Sequence, residues 1–193
     1  AQTQNRCVSG TDYKNYANLF TTPYNGSMGK ANVVLRHSGC SANIIEFFIL
    51  VKENNFNLVK ANSQFKYEFE QYIKENKMIT DYVDVKDGEI VYVNTSLNVI
   101  LDKYYKKFQD EIKAQISNRI TSFFSLNYWD YGQPLRDTDV IKALSDLQQP
   151  KRYDIFFATV NPNNSGKQVI TRYFEIIRPE STTINFTYEW CDD

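Results

Sequence analysis

A chain of 193 residues, 42% hydrophobic and 23% charged with a formal net charge of −1, has the size of one globular domain and enough mass to bury a core. No clustered Lys/Arg block of the kind that releases counterions from phosphates is present, which argues against nucleic-acid binding. The longest apolar run, IIEFFILV from Ile44 to Val51, is interrupted by Glu46 and falls far short of the ~20 residues of a membrane-spanning helix.

The chain opens AQTQNRC, a small residue followed by polar ones, as expected just after signal-peptide cleavage; this predicts an exported, secreted or periplasmic protein. Residues 1–30 carry little periodicity, and TTPYNGSMGK is rich in turn formers. They are expected to form an N-terminal arm, mostly loop, ahead of a single domain over 31–193. ANVVLRH then reads as a short strand. It leads into RHSGCS, which sets the only histidine, His37, three residues from Cys40.

A nucleophilic thiolate needs a neighbouring imidazolium or a helix N-terminus. Gly39 argues against the helical geometry that would bring residues three apart together. In an exported chain the favoured reading is therefore a disulfide half-cystine beside a surface histidine. Three cysteines allow one bridge. Cys7–Cys40 is the preferred pairing because it ties the arm to the first strand, and Cys191 is the alternative partner of either. Loop-closure reasoning values such a bridge at about 3–4 kcal/mol.

NIIEFFILVKENNFNLVKA is ambiguous between a hairpin turning at KENN and an amphipathic helix through Val51. SQFKYEFEQYIKEN is clearer: Phe65, Phe69, Tyr72 and Ile73 fall on one helical face, with Asn62 or Ser63 as N-cap. DYVDVKDGEIVYVN alternates on both sides of Asp87-Gly88, a dipeptide suited to the type I′ turn of a hairpin. Its acidic residues fail the spacing of a calcium loop. From Leu97 to Phe124 there is no Gly or Pro, and apolar residues recur at three- and four-residue steps. The pattern predicts one long central helix over about 97–124, capped by Thr95 or Ser96. Lys103, Lys106 and Lys107 would lie on its solvated face, with Asp110 and Glu111 as i,i+4 partners.

NYWDYGQPLRD breaks the periodicity as a loop, DTDVIKALSDLQQP reads as a short helix, and the remainder reads as β: YDIFFATV and QVITRYFEIIRP about the loop NPNNSGK, then TTINFTYEW. The order lacks βαβ alternation, so the expected fold is α+β, a mainly antiparallel sheet packed on the long helix with shorter helices.

Motifs for chemistry fail in turn. One His and three scattered Cys show no metal-ligand spacing, GSMGKA and NNSGKQ do not meet the phosphate-loop pattern, and no G-x-S-x-G elbow occurs, so neither metal nor cofactor is expected. The best interaction candidate is the polar-aromatic loop, where Tyr128, Trp129 and Tyr131 surround Asp130 with Arg136 nearby. Exposed aromatic faces beside directional hydrogen bonds suit a partner protein's hot spot, or a sugar ring. The function expected is non-enzymatic binding of a protein partner, as an inhibitor, immunity-type or surface-recognition domain. The alternatives are a glycan-binding module and a secreted hydrolase using an Asp/Glu pair, or His37 with a distant acid or hydroxyl.

Overall fold

The computed structural model describes residues 10–37, 43–77, 82–160 and 164–190, His37 by its backbone alone. Cys7, Cys40 and Cys191, and with them the expected bridge, lie outside the described residues, as does the His37 side chain. The fold is α+β with sheets that are mainly antiparallel. It gathers into two compact units, a first running to Glu89 and including Tyr173–Glu175, and a second holding the rest.

The first unit comprises α1 (Gly10–Asn18), β1 (Met28–His37), β2 (Asn43–Lys52), β3 (Leu58–Val59), α2 (Ser63–Lys74) and β4 (Tyr82–Asp87). Its centre is β2, antiparallel to β1 and β3 and parallel to β4. Every residue from Ile45 to Val51 is buried, the continuous pattern of a strand covered on both faces. That explains why its apolar run does not alternate, and it settles the ambiguity of this stretch in favour of strand and hairpin. Phe65, Phe69 and Ile73 of α2 join Phe47 and Ile49 in one core cluster, with Phe69 meeting Phe47 edge-on at 5.2 Å. Asn62 caps α2 as expected, its side chain accepting from the Phe65 N–H at 2.8 Å.

Two expectations for this unit are corrected. The segment expected to be mostly loop contains α1. Tyr13 and Ala17 lie one turn apart and are buried, Tyr16 stacks on Tyr72 at 4.0 Å, and the Asn18 side chain accepts from the Ala31 N–H at 3.0 Å. Two buried positions over a single turn are too brief a period to stand out. Asp87-Gly88 is not a hairpin turn. Strand β4 pairs with β2 from Ile44↔Tyr82 to Ile49↔Asp87, and the Gly88 N–H continues that edge by donating to the Ile49 carbonyl at 2.9 Å. Gly88 takes no positive φ, whereas Gly26 and Gly132 do.

Two close contacts fix this sheet. Buried Glu46 on β2 accepts from Arg36 of β1 and Lys86 of β4, each at 3.2 Å, so one carboxylate bridges three neighbouring strands. Gly29 sits at a register shift of β1, where a Cβ would lie 2.9 Å from both the Leu50 carbonyl oxygen and the Lys52 nitrogen.

The second unit comprises β5 (Glu89–Asp102), α3 (Gln109–Phe123), β6 (Leu135–Arg136), α4 (Asp137–Ala143), β7 (Arg152–Thr159), β8 (Asn164–Gly166), β9 (Gln168–Val169) and β10 (Glu175–Glu189), with the first residues of β5 and β10 counted in the other unit. Its sheet has the order β10-β5-β7-β8, and β6 pairs with β9. The expected long helix over 97–124 is corrected here. Leu97–Asp102 continues β5, Lys103–Phe108 is a 3-10 turn, and only Gln109–Phe123 is α-helical. A step of four is also an even step, so Leu97 and Leu101 satisfy a helix face and a strand face equally. Val91, Val93, Thr95, Leu97, Val99 and Leu101 are all buried, and the two-residue period wins. Thr95 and Ser96 are therefore strand residues, not caps. The helix that does form buries Ile112, Ile116 and Ile120 as the pattern predicts.

The shortened helix also redirects its lysines. A 3-10 turn has three residues per turn, so residues four apart do not align. Lys103 sits over the Trp190 ring at 3.7 Å, Lys107 over Tyr104 at 4.5 Å and Lys106 over Tyr188 at 5.7 Å. These cation–π contacts stand where ion pairs with Asp110 and Glu111 were expected. QVITRYFEIIRP is not one strand either: β8 is the hairpin partner of β7, and β9 turns away to pair with β6.

Candidate functional site

The predicted polar-aromatic loop lines a cleft of about 610 Å³ in the second unit. One wall is α3, which turns Ile112, Ile116 and Ile120 inward and so leaves Arg119, Ser122 and Phe123 facing the cleft. The opposite wall is α4, whose Asp139 and Lys142 stand one turn apart. The loop after α3 supplies the floor, with Tyr128, Trp129, Gln133 and Pro134, and Arg136 of β6 completes the rim. Helix α4 packs against α3, β6 and β7, which holds the two walls in register.

The loop is shaped by its own hydrogen bonds. Trp129 Nε1 donates to the Phe123 carbonyl at 2.8 Å, satisfying one of the carbonyls left open at the end of a helix. Its ring stacks on Phe124 at 5.5 Å and meets Phe123 edge-on at 5.7 Å. The Asp130 N–H donates to Gln133 Oε1 at 3.0 Å, and Asp130 Oδ1 accepts from the Tyr131 N–H at 2.8 Å. Gly132 takes φ +73° to close the turn, and Thr171 Oγ1 donates to the Gln133 carbonyl at 3.2 Å.

The predicted site residues divide accordingly. Tyr128 is exposed to 69%, and Arg136 is exposed on the rim. Trp129, 2% exposed, and Tyr131, 7% exposed, are not the solvent-facing aromatics expected of them. Burying two large rings, Trp129 of them against the helix end, outweighs leaving them wet. Trp129 still presents part of its surface to the cleft wall, Asp130 spends a carboxylate oxygen on the turn, and Tyr131 does not line the cleft. Asp139, close to the loop in sequence, lines the cleft as well, whereas sequence reasoning missed Arg119 and Lys142. Their signal was present as spacing: Arg119 shares a helix face with Ser122 and Phe123, and Lys142 lies one turn from Asp139.

The charges are unequally engaged. Arg119 Nε donates to both oxygens of Asp146 at 3.2 and 3.1 Å. Their hydrogen bonding holds the Asp146 carboxyl below its usual range and raises the Arg119 guanidinium. Arg136 and Lys142 have no ion-pair partner among the described residues. Asp139 is the single carboxylate among the described lining residues, so the paired acids of glycoside hydrolysis are not assembled in this cleft. Among the described residues no group of His, Cys, Asp and Glu is arranged to hold a metal ion, and no helix is long and apolar enough to cross a membrane. The arrangement suits an anionic group held at the rim above an aromatic wall.

No protein-family model and no curated protein matches the sequence. Among solved structures the chain is similar in fold to a chain of the six-fold symmetrised cryo-EM structure of the anti-feeding prophage baseplate, with a TM-score of 0.59 at 5% identity over 92% of this chain. It spans 38% of the length of that baseplate chain. At that identity the likeness is one of fold alone.

Proposed function

We propose that this protein is a non-enzymatic interaction subunit of a protein assembly, and that it docks a segment of a partner protein in the cleft between α3 and α4. The observation that carries this reading is the cleft itself: an aromatic wall beside two cations, Arg136 and Lys142, that form no ion pair among the described residues. A partner segment placing an Asp or Glu against those cations and an apolar side chain against Phe123 and Trp129 would complete both. Charge-assisted hydrogen bonds of this kind set register and specificity, and buried aromatic contacts supply most of the affinity. The fold likeness to a baseplate chain supports the assembly setting. Export of the chain and a Cys7–Cys40 bridge belong to the same proposal.

The test is affinity capture from the source organism with the wild-type chain and with an Arg136→Glu/Lys142→Glu variant. The expected result is one stoichiometric protein held by the wild type and released by the variant. A partner retained equally by both, or none with the wild type, would overturn the reading.

A further inference from the structure

The sheet edges are not protected alike. An edge strand shows a row of unpaired N–H and C=O groups, and proteins blunt it with shortness, charge, proline, a bulge or a covering element. Strand β1 carries Lys30 and Arg36, has a register shift between Met28 and Lys30, and is packed by α1. Strand β4 carries Asp84, Lys86 and Asp87. Strands β3, β6, β8 and β9 are at most three residues long.

Strand β10 differs. Its one hydrogen-bonded neighbour among the described strands is β5. Glu175–Arg178 is buried, and Pro179 has no N–H to offer, but from Ser181 to Tyr188 there is neither charge nor proline. Ser181, Thr182, Thr183, Asn185 and Thr187 are exposed, and Phe186 and Tyr188 are half-buried. Ser181 and Thr187 donate to Asn94 and Asn98 of β5 at 2.5 and 3.1 Å. Tyr188 instead reaches Gln109 of α3, so Ile184, Phe186 and Tyr188 lie on the helix side of the sheet. Phe186 and Tyr188 stack there at 6.4 Å, with no described strand beyond them to complete their cover.

This edge specifies what covers it. The occupant must be an extended backbone that takes its donors and acceptors, apolar on the helix side and short on the other. The strand's own sequence meets both demands. Laid antiparallel on itself about Asn185, it sets Ile184 opposite Phe186, Thr183 opposite Thr187 and Thr182 opposite Tyr188, each pair occurring twice. Glu180 then falls opposite Trp190 and Glu189 opposite Ser181. Aromatic with β-branched and Thr with Thr are favoured cross-strand pairs, and no like charges meet.

We propose that β10 pairs antiparallel with β10 of a second copy of this chain, joining two four-stranded sheets into one across a two-fold axis at Asn185. The inference goes beyond the cleft reading, and none of these β10 residues lines the α3–α4 cleft. The experiment is light scattering of the purified full chain over a dilution series, with far-UV circular dichroism of each variant as the check on folding.

The wild type is expected to pass from monomer to dimer as concentration rises. Asn185→Lys sets two ammonium groups opposite each other on the axis and should raise the dissociation constant at least about tenfold with an unchanged spectrum. Ser165→Lys, on the exposed face of β8, should dimerise as the wild type does. A short bis-maleimide should link Asn185→Cys to its copy above the wild-type background. It should not link Thr182→Cys, which the register sets opposite Tyr188. A chain monomeric at every concentration would overturn the pairing and leave the cleft reading intact, since that reading is tested by capture of a different protein. A dimer that a folded Asn185→Lys holds as tightly as the wild type, or linkage no stronger at 185 than at 182, would overturn it as well.

Discussion

Gly29→Ala is the sharpest test of how the first sheet is packed. The added Cβ would lie 2.3 Å from Leu58 Cδ2, and that side chain can swing aside. It would also lie 2.9 Å from the Leu50 oxygen and from the Lys52 nitrogen, both backbone atoms of β2. Those atoms must retreat by about half an ångström to restore ordinary contact, and β2 is buried on both sides, so it has nowhere to go. Overpacking costs about 1–3 kcal/mol where side chains adjust; a strand that must move places this substitution near the top of that range. At about 2–4 °C per kcal/mol for a chain of this size, the midpoint should fall by roughly 6–12 °C. Urea melts should show a lower midpoint at an unchanged slope. Gly166→Ala is the matched control, since nothing lies within 4 Å of its added Cβ, and it should be neutral. Gly29→Ala with wild-type stability would refute the packing argument.

Three further outcomes are expected. Glu46→Ala should destabilise by about 1–3 kcal/mol in thermal melts, since the carboxylate holds charge-assisted bonds but leaves behind two cations that can rehydrate; an unchanged midpoint would count against its bridging role. Burial, with Asp146 second, pushes the Tyr153 hydroxyl from 10.0 up to about 12. A group raised in the folded state contributes stability that is complete below its unfolded value and is lost as pH rises through its folded value. Stability should therefore decline between pH 10 and about 12, and Tyr153→Phe should flatten that decline in pH-dependent denaturation. Intact mass of native protein treated with an alkylating agent should show a single adduct, peptide mapping should place it on Cys191, and three alkylated thiols would eliminate the bridge.

Legibility in the sequence followed how many residues shared one unambiguous period. Helix α2 was readable because Tyr72, an odd step away, shares a face with Phe65, Phe69 and Ile73 on a helix but not on a strand, and Asn62 marks its start. The Leu97–Leu101 step fits both periods, so only the alternation running back to Val91 decides for strand. Gly88 shows the limit of turn chemistry: the dipeptide suits a hairpin, but β4 gains more by lying beside buried β2. In the cleft, Tyr128 and Arg136 were legible because local polarity agrees with their exposure. Trp129 was not, since its indole N–H finds the Phe123 carbonyl only once α3 has ended there. Arg119 and Lys142 belong to separate helices, and no local pattern states that those helices face each other.

The parallel pairing of β4 with β2 has a consequence for where the sheet's closure cost falls. Strands β1, β2 and β3 follow one another along the chain and close antiparallel contacts over short loops. Strand β4 reaches β2 only after α2 has crossed between them, and Phe69 of that helix lies against Phe47 of β2. A connection of this length carries more closure entropy than a hairpin. The closure cost of the sheet is therefore concentrated in the β4 crossover, and the Lys86–Glu46 pair is the side-chain contact that ties that distant strand to β2.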